Sequence, residues 1–342
     1  MKRRSNTVVY FFIFALIVAN FFIYSKIFTN SIPEPSYAVS DGNINDNGDS
    51  GTDTPDSSDA PGNNQGSALS PDYKYITANV SDTYSGSLVL VNSSHEFKFD
   101  NVPTVVEKSV SDSVYYNKTS SYSVKDTNVT MDTVAISALN KMMDDFYAHM
   151  GNKKTIIITE GLRTFEEQQE ILAQKIEQYG ADQSIAQQPG FSEHHTGYAI
   201  DISVYIDGVM DTFTGEGEYS WLSENAYKYG FILRYPEGKE TKTGISYEPW
   251  HFRYVGTVHA QYMHDNNLTL EEYIDTLALY PFESEHLKVT DQATSAQYEV
   301  YSVAVTSDGT KVPVPSALEG TEYTLSGDNA GHIIVTVKKA EG

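Results

Sequence analysis

The sequence predicts a mixed α+β fold, in which helices and short strands follow one another and the chain ends in strands alone. Apolar residues at three- and four-residue spacing predict a helix from Asp132 to Met150. The β-branched stretch at 155–159 predicts a buried strand, and the alternation over 199–205 predicts another. After Pro281 the sequence has the pattern of successive strands, which predicts a small β module at 285–342.

Further elements are predicted around these. The predicted helices are 165–179, closed by Gly180, about 218–229, and two short helices before Pro281, the second opening with the capping box at 269–272. The predicted strands or extended segments are 87–91, 95–99, 231–234 and 250–255, and 238–244 is predicted to be a charged hairpin or loop. The apolar content of 40% is enough for these elements to bury a core.

Charge and cysteine content exclude several kinds of protein. The formal net charge of −23 argues against a nucleic-acid partner, because no basic patch offsets it. The chain has no cysteine, so it has no disulfide, and any zinc site must use His, Asp or Glu. An exported protein without cysteine fits a bacterial cell surface.

The N-terminal part is predicted to be a membrane anchor followed by a tether. Lys2–Arg4 precede an apolar run at 8–24, so we expect residues 1–30 to form a cytoplasmic tip and a single transmembrane helix. Residues 31–72 are polar and acidic, which predicts a disordered linker. The alternative is a cleaved signal peptide. Either topology places the rest of the chain outside the cytoplasm.

Two sequence stretches carry a candidate metal site, Ser192–Asp201 and Glu248–His251. A catalytic zinc ion needs three protein ligands and one position left for water. His194, Asp201 and His251 can supply those ligands, since the spacing lets a loop histidine and a strand aspartate converge on one ion. Nickel or cobalt would be geometric substitutes.

Two charged residues are candidates for the chemistry beside the metal. Glu248 precedes His251 by three residues and is placed to take a proton from water and pass it to a leaving amine. Arg163 lies where a strand ends and a helix begins, so its guanidinium can hold a carboxylate or stabilise an oxyanion. The alternative for Arg163 is a salt bridge to Glu166 or Glu167.

Neighbouring residues have less specific predictions. Glu193 is a candidate for orienting a histidine ring, whereas His195 is expected to point away from the site on an extended segment. Arg234, Arg253 and Tyr235 are candidates for lining the groove. The remaining histidines are expected to bind no metal: His95, His149, His259, His264, His286 and His332.

The motif Ser192-x-His-x-x-Gly-x-Ala-x-Asp201 with Glu248-x-Trp-His251 resembles the signature of the LAS zinc peptidases, and most of all the VanY-type D-alanyl-D-alanine carboxypeptidases. Gly161–Gln168 resembles another segment of that family, and the likeness covers about 131–266. The resemblance implies a small central antiparallel sheet with helices packed on it. It also implies these roles: zinc ligands His194, Asp201 and His251, base Glu248, substrate and transition-state arginine Arg163, and substrate contacts Gln168 and Ser192.

The sequence therefore predicts a zinc carboxypeptidase domain at 73–284 that removes the terminal D-Ala from peptidoglycan stem peptides at the bacterial cell surface. We expect a monomer, with a peptidoglycan peptide as substrate and the membrane bound through the N-terminal helix. Alternatives are an L,D-carboxypeptidase or a cross-link endopeptidase using the same site, and a non-catalytic zinc-stabilised protein that binds the cell wall. The β module at 285–342 is itself a candidate for binding wall polymer.

Overall fold

The computed structural model describes residues 72–99, 107–110, 121–181, 186–316 and 322–339. Its helices are α1 Thr133–His149, α2 Phe165–Tyr179, α3 Ser220–Asn225, α4 Glu240–Thr243, α5 Thr257–Asp265 and α6 Leu270–Leu277. Its strands are β1 Tyr73–Ala78, β2 Glu107–Ser109, β3 Ser123–Val124, β4 Thr130–Asp132, β5 Ile156–Glu160, β6 Ala199–Ile206, β7 Val209–Asp211, β8 Phe231–Leu233, β9 His251–Tyr254, β10 Leu287–Thr290, β11 Gln297–Ala304, β12 Thr310–Pro315, β13 Glu322–Gly327 and β14 His332–Lys338. The fold is therefore mixed α+β, as the sequence predicts.

A central sheet with strand order β3-β5-β6-β9-β8 carries Asp201 and His251, and β7 pairs with the outer part of β6. All its pairings are antiparallel except that of β3 with β5. Helix α1 packs on one face, where its buried side chains Ile136, Leu139 and Phe146 join Ile200 and Phe252 of the sheet in one apolar cluster. Asp132 caps α1 by accepting hydrogen bonds from two backbone amides of its first turn. The predicted helix-on-sheet arrangement is confirmed.

The C-terminal strands form a second antiparallel sheet with the order β10-β11-β14-β13. Strand β12 instead pairs with β1, so the first strand of the described chain is joined to the C-terminal part. A second apolar cluster connects the two regions, with Leu88 and Leu90 beside side chains of α5, α6, β11 and β14. Residues 66–342 form one compact unit. The domain boundary predicted between residues 284 and 285 therefore lies within one compact unit, in which strand β1 pairs with strand β12.

The segment 87–91 is not a strand, and that prediction is wrong. Its four apolar residues are buried, which explains the strand-like sequence. Their backbone amides form hydrogen bonds, but not those of a strand ladder: the Leu88 amide donates to Ser326 Oγ and the Leu90 amide donates to the Asp328 carbonyl. A short apolar run predicts burial, but it does not by itself distinguish a strand from a buried loop.

Other differences are local. The helix predicted at 218–229 is split, with α3 between 3-10 turns at Gly217–Tyr219 and Ala226–Tyr229, before Gly230 ends it in the left-handed region. The predicted loop at 238–244 contains the single-turn helix α4. No helix among the residues that the structure describes is long and apolar enough to cross a membrane. The anchor predicted at 1–30 and the linker up to residue 71 lie outside the described ranges.

Candidate metal centre and active site

Three chain segments bring the predicted metal ligands together. Asp201 on β6 and His251 on β9 are directly opposite each other in the strand register. His194 lies in the 3-10 turn Glu193–Thr196 that precedes β6. Gly197 ends this turn at φ 73°, a left-handed conformation that glycine adopts without strain. The glycine therefore allows the chain to turn from His194 back into the sheet within a few residues.

The side-chain atoms of these ligands converge on one point. His194 Nε2 lies 3.3 Å from Asp201 Oδ2, and His251 Nδ1 lies 2.9 Å from Asp201 Oδ1. One candidate ligand atom from each residue lies within 4.8 Å of the other two. Two imidazole nitrogens and one carboxylate form a donor set that zinc accepts while a position for water stays open. The residues present therefore fit a catalytic zinc ion.

The electrostatics of the cluster also suit a cation. Burial would raise the pKa of Asp201, but the two histidines hold that pKa far below its usual range. The pKa of His194 is lowered, by burial and by the charge of Arg163, so its ring is neutral, which is the form that binds metal. Burial would lower the pKa of His251, but its hydrogen bond to Asp201 and the nearby carboxylate of Glu193 raise it to about 9. The site thus stabilises positive charge beside Asp201.

The ring of His194 is fixed from behind by the backbone. Its Nδ1 lies 2.7 Å from the Gly161 carbonyl oxygen, to which the protonated Nδ1 donates, leaving Nε2 for the metal. Gly161 is packed so tightly that an added Cβ would lie 2.2 Å from the Thr130 carbonyl oxygen. A glycine is therefore required here for β4 to approach the segment that positions His194.

Glu248 is placed beside the ligand cluster. Its Oε2 lies 3.9 Å from His251 Nδ1, and its backbone amide donates to the Tyr235 carbonyl. Burial raises the pKa of Glu248 to about 7, and the charge of Asp201 adds to this effect, although His251 opposes it. A carboxylate with a pKa near 7 can both accept and return a proton close to neutral pH. This geometry supports the predicted base.

Arg163 lies at the same cavity. Glu166 and Glu167, its alternative partners in the prediction, are not among its described contacts. Its Nη1 donates to Gln168 Oε1 at 2.8 Å, and Nη2 lies 3.7 Å from Glu160, whereas Glu167 caps α2. Arg163 Nε is buried without a hydrogen-bond partner. Gln168 also donates to the Gln187 carbonyl, so both ends of its amide are engaged. Gln168 therefore orients Arg163 in this structure.

Glu193 is the centre of a buried charge network. Its Oε1 accepts from Arg234 Nε at 2.8 Å and from Arg253 Nη1 at 2.9 Å, and all three side chains are 0% exposed. Arg234 also forms a two-point ion pair with Glu271 on α6. The prediction that Arg234 and Arg253 line the groove is wrong, because their guanidinium groups are buried beneath it. The signal was present in the sequence: Arg253 lies within a strand and Arg234 directly follows an apolar one, and a buried charge there needs a partner.

The other oxygen of Glu193 faces the metal centre. Glu193 Oε2 lies 3.7 Å from His251 Nε2, and both atoms are buried without a hydrogen-bond partner. Burial would raise the pKa of Glu193, but Arg234 and Arg253 hold it well below its usual range. A permanent negative charge thus lies behind the ring of a metal ligand, in agreement with the predicted orienting role.

His195 does point away from the ligand cluster, although the segment is a 3-10 turn and not extended as expected. Its Nδ1 lies 2.7 Å from the Arg163 carbonyl oxygen, and its Nε2 accepts from the Gly190 amide. Its ring packs against Phe99 with centroids 4.9 Å apart. Burial lowers its pKa to about 4, so the neutral ring can accept that amide hydrogen bond. His195 therefore connects the loop before the motif to the arginine segment.

The ligands, Glu248 and Arg163 line one cavity of about 240 Å³. Ser192, Gln168 and Tyr235 line it too, as predicted. Six further lining residues were not predicted as such: Ile171, Lys175, Ala186, Gln187, Ile245 and Trp250. Ile171 and Lys175 follow Gln168 at helical spacing, which is the pattern that identifies them as the same face of α2.

Two histidines and one aspartate that leave a position for water beside Glu248 define the protein's class, that of the zinc metallopeptidases. A family model described as VanY, D-alanyl-D-alanine carboxypeptidase, matches residues 128–257. The chain is 34% identical to a D-alanyl-D-alanine carboxypeptidase of Enterococcus faecium over 275 residues, covering 80% of this chain and 82% of that one. The chain belongs to the VanY D-alanyl-D-alanine carboxypeptidase family.

Two further comparisons agree. A D-alanyl-D-alanine carboxypeptidase of Enterococcus faecalis is 44% identical over 131 residues, which cover 35% of this chain and 47% of that protein. Among solved structures, the vancomycin resistance D,D-dipeptidase VanXYg in complex with a D-Ala-D-Ala phosphinate analog superposes with a TM-score of 0.66 at 30% identity. That match covers 78% of this chain and 99% of VanXYg, so it includes far more than the metal-binding motifs.

Proposed function

We propose that this protein is a zinc-dependent carboxypeptidase that removes the terminal D-Ala from peptidoglycan stem peptides. The observation that carries the proposal is the meeting of His194, Asp201, His251, Glu248 and Arg163 at one cavity. The family relation supports the substrate class, because both Enterococcus relatives are named D-alanyl-D-alanine carboxypeptidase.

The roles follow from position and charge. His194, Asp201 and His251 would hold zinc, which when bound supplies Lewis-acid chemistry by polarising a carbonyl and making water more acidic. Glu248 accepts a proton from the attacking water and returns it to the leaving amine, because its raised pKa of about 7 makes both transfers accessible. Arg163 stabilises the negative charge that develops on the carbonyl oxygen.

Substrate contacts are proposed for groups that line the cavity around this machinery. Ser192 is buried at the cavity wall and offers a hydroxyl to the peptide. Gln168 holds Arg163 in place and is also a candidate contact. Lys175 is half-buried at the wall and adds a second positive charge on the side of α2. Two cations at one cavity suit a substrate that ends in a carboxylate.

We further propose that the protein works outside the cytoplasm as a monomer, held to the membrane by residues 1–30. The basic residues before the apolar run at 8–24 support this orientation, and the polar residues 31–72 would give the enzyme reach. Fractionating cells that express the full chain would test the anchor. Recovery in the soluble fraction, with the N-terminal residues absent by mass spectrometry, would instead support a cleaved signal peptide.

Substrate choice is tested with defined peptides. The purified zinc-loaded chain is incubated with pentapeptide stems, tetrapeptide stems and cross-linked dimers, and the products are identified by mass spectrometry. Loss of one alanine from the pentapeptide alone is expected. Cleavage of the tetrapeptide would favour an L,D-carboxypeptidase, and cleavage of the dimer would favour an endopeptidase. No cleavage of any of them would contradict the proposal and favour a non-catalytic wall-binding protein.

A further inference from the structure

Lys175 is a cation at the metal-centre cavity that no carboxylate of the described chain neutralises. It lies on α2, is half-buried and lines the same cavity as the metal ligands. Among the residues that the structure describes, it forms no ion pair with an Asp or Glu. Helix α2 supplies no such partner, because the residues three and four positions away are Ile171, Leu172, Gln178 and Tyr179. In a chain with a formal net charge of −23, an unpaired cation beside the metal centre indicates a negatively charged ligand.

The described contact of the Lys175 ammonium group leaves that group able to bind an anion. Its Nζ lies 5.6 Å from the ring centroid of Tyr179, one turn further along α2. This ring is 55% exposed, and a cation beside an exposed ring gains little from it. The contact also engages none of the three ammonium N–H groups with an acceptor oxygen. A lysine that is only hydrated at this position would make no difference to peptide binding, so the two roles can be separated by measurement.

Arg163, the other cation of this cavity, is already held by protein groups. Its Nη1 donates to Gln168 Oε1 at 2.8 Å, its Nη2 lies 3.7 Å from Glu160, and its backbone amide donates to the carbonyl of the ligand His194. Gln168 and Lys175 are seven residues apart on α2, which separates them by two turns, about 10 Å along the helix axis. Arg163 is thus fixed beside a metal ligand, whereas Lys175 lies further along the same wall on a flexible four-carbon stem. The two cations can therefore serve different parts of one substrate.

A second cavity also reaches the metal centre, and it has no cation in its lining. Its volume is about 260 Å³, and it shares Asp201 and Trp250 with the metal-centre cavity. Its other lining residues are uncharged: Thr159, Ile202, Ser203, Thr212 and Phe213. A terminal carboxylate therefore finds its counter-charge only in the cavity that Lys175 lines. This difference gives a peptide lying across the metal one favourable direction, with its carboxylate end toward α2 and its upstream residues in the uncharged cavity.

We propose that Lys175 binds the terminal carboxylate of the substrate and thereby makes the enzyme select the free end of a peptide. Arg163 is then left to the carbonyl oxygen of the scissile bond. The assignment rests on the proposed function, because it takes the substrate to be a peptide that ends in D-Ala. An ammonium group paired with a carboxylate favours the free end. A cross-linked peptide places a neutral amide at the same point and leaves Lys175 unpaired, which disfavours endopeptidase cleavage.

The test compares two peptides that differ only at the terminal group, L-Ala-γ-D-Glu-L-Lys-D-Ala-D-Ala and its C-terminal carboxamide. Lys175→Met removes the charge and keeps an unbranched side chain. It is expected to lower kcat/KM for the free acid roughly tenfold, mainly through KM, because a hydrogen bond to a charged group at a half-buried site contributes about that factor. The value for the carboxamide should not change, and Lys175→Arg should recover most of the loss. The matched control is Lys141→Met, since Lys141 is exposed on α1 and lines neither cavity; it should change neither value.

Binding supplies a readout that is independent of turnover. With the zinc-loaded Glu248→Gln chain, calorimetry should show the free acid binding about tenfold more tightly than the carboxamide, and adding Lys175→Met should remove that difference. Equal losses for both peptides, no loss for either, or no binding of the free acid would overturn the proposal. If wild type cleaves neither peptide but the binding difference depends on Lys175, the proposed function fails and the assignment of Lys175 stands.

Discussion

Replacing Glu193 with glutamine is the sharpest test of how this fold supports its metal centre. The substitution keeps the side-chain size and removes the one negative charge that two buried guanidinium groups share. Arg234 keeps Glu271 as a partner, but Arg253 keeps only carbonyl oxygens, those of Ser87, Val89 and Tyr254. One buried cation thus loses its counter-charge.

The expected cost follows from that burial. Breaking a buried ion pair by removing one partner destabilises a protein by about 3–5 kcal/mol. For a unit of this size that corresponds to a fall in Tm of about 6–20 °C. The same substitution removes the carboxylate that faces His251 Nε2 at 3.7 Å, so zinc should bind about 10- to 100-fold more weakly.

Two measurements separate these effects. Urea unfolding reports the free energy of unfolding, and competition with a chelator reports zinc affinity at a temperature where the variant is folded. The matched control is Glu271→Gln, which removes the other partner of Arg234 but none of the described contacts of His251. It should lower stability and leave zinc affinity unchanged. If Glu193→Gln unfolds within 1 kcal/mol of wild type and holds zinc equally well, the supporting role assigned to Glu193 is incorrect.

Three further predictions concern other parts of the structure. Glu248→Gln should lower kcat by roughly 10²–10⁴-fold at unchanged zinc content by elemental analysis, and near-wild-type kcat would exclude Glu248 as the base. Gly161→Ala should lower the free energy of unfolding in urea by about 1–3 kcal/mol and lower the zinc affinity measured by chelator competition. The added Cβ would clash with the Thr130 carbonyl and displace the Gly161 carbonyl, which accepts from His194. Unchanged values would show that the backbone relaxes around the new methyl group. Burial lowers the pKa of His259 to about 4, below its unfolded value of about 6.5. The unfolded chain therefore takes up more protons as the pH falls, and the free energy of unfolding decreases by about 2 kcal/mol from pH 7 to pH 5. His259→Gln should remove that part of the pH dependence in urea unfolding, and an unaltered dependence on pH would contradict this prediction.

The parts that the sequence predicts well are those set by local pattern. Helices α1 and α2 have regular apolar spacing and capping residues, and the structure places them within a residue of the predicted bounds. The ligand set was predictable because zinc chemistry restricts a cysteine-free chain to His, Asp and Glu at convergent spacing. The segment 87–91 was mispredicted because its burial comes from contacts with residues more than 200 positions away, Ser326 and Asp328 among them.

The buried ion-pair network behind the metal centre was the part that was hardest to predict, because it depends on which charged side chains the fold brings together. Arg234, directly after β8, and Arg253, within β9, each predict a buried acidic partner, but several acidic residues are equally available in the sequence. Only the fold shows that both converge on Glu193, the residue directly before a ligand, and that Arg253 also binds the backbone of the 87–89 segment. That segment packs with the C-terminal strands, since Leu88 shares an apolar cluster with Val300 and Ile334. The C-terminal sheet and the zinc ligands are thus physically connected through one arginine. Substitutions that loosen the 87–89 segment should therefore shift the position of His251 through Arg253 and Glu193, even though the substituted residues contact no metal ligand.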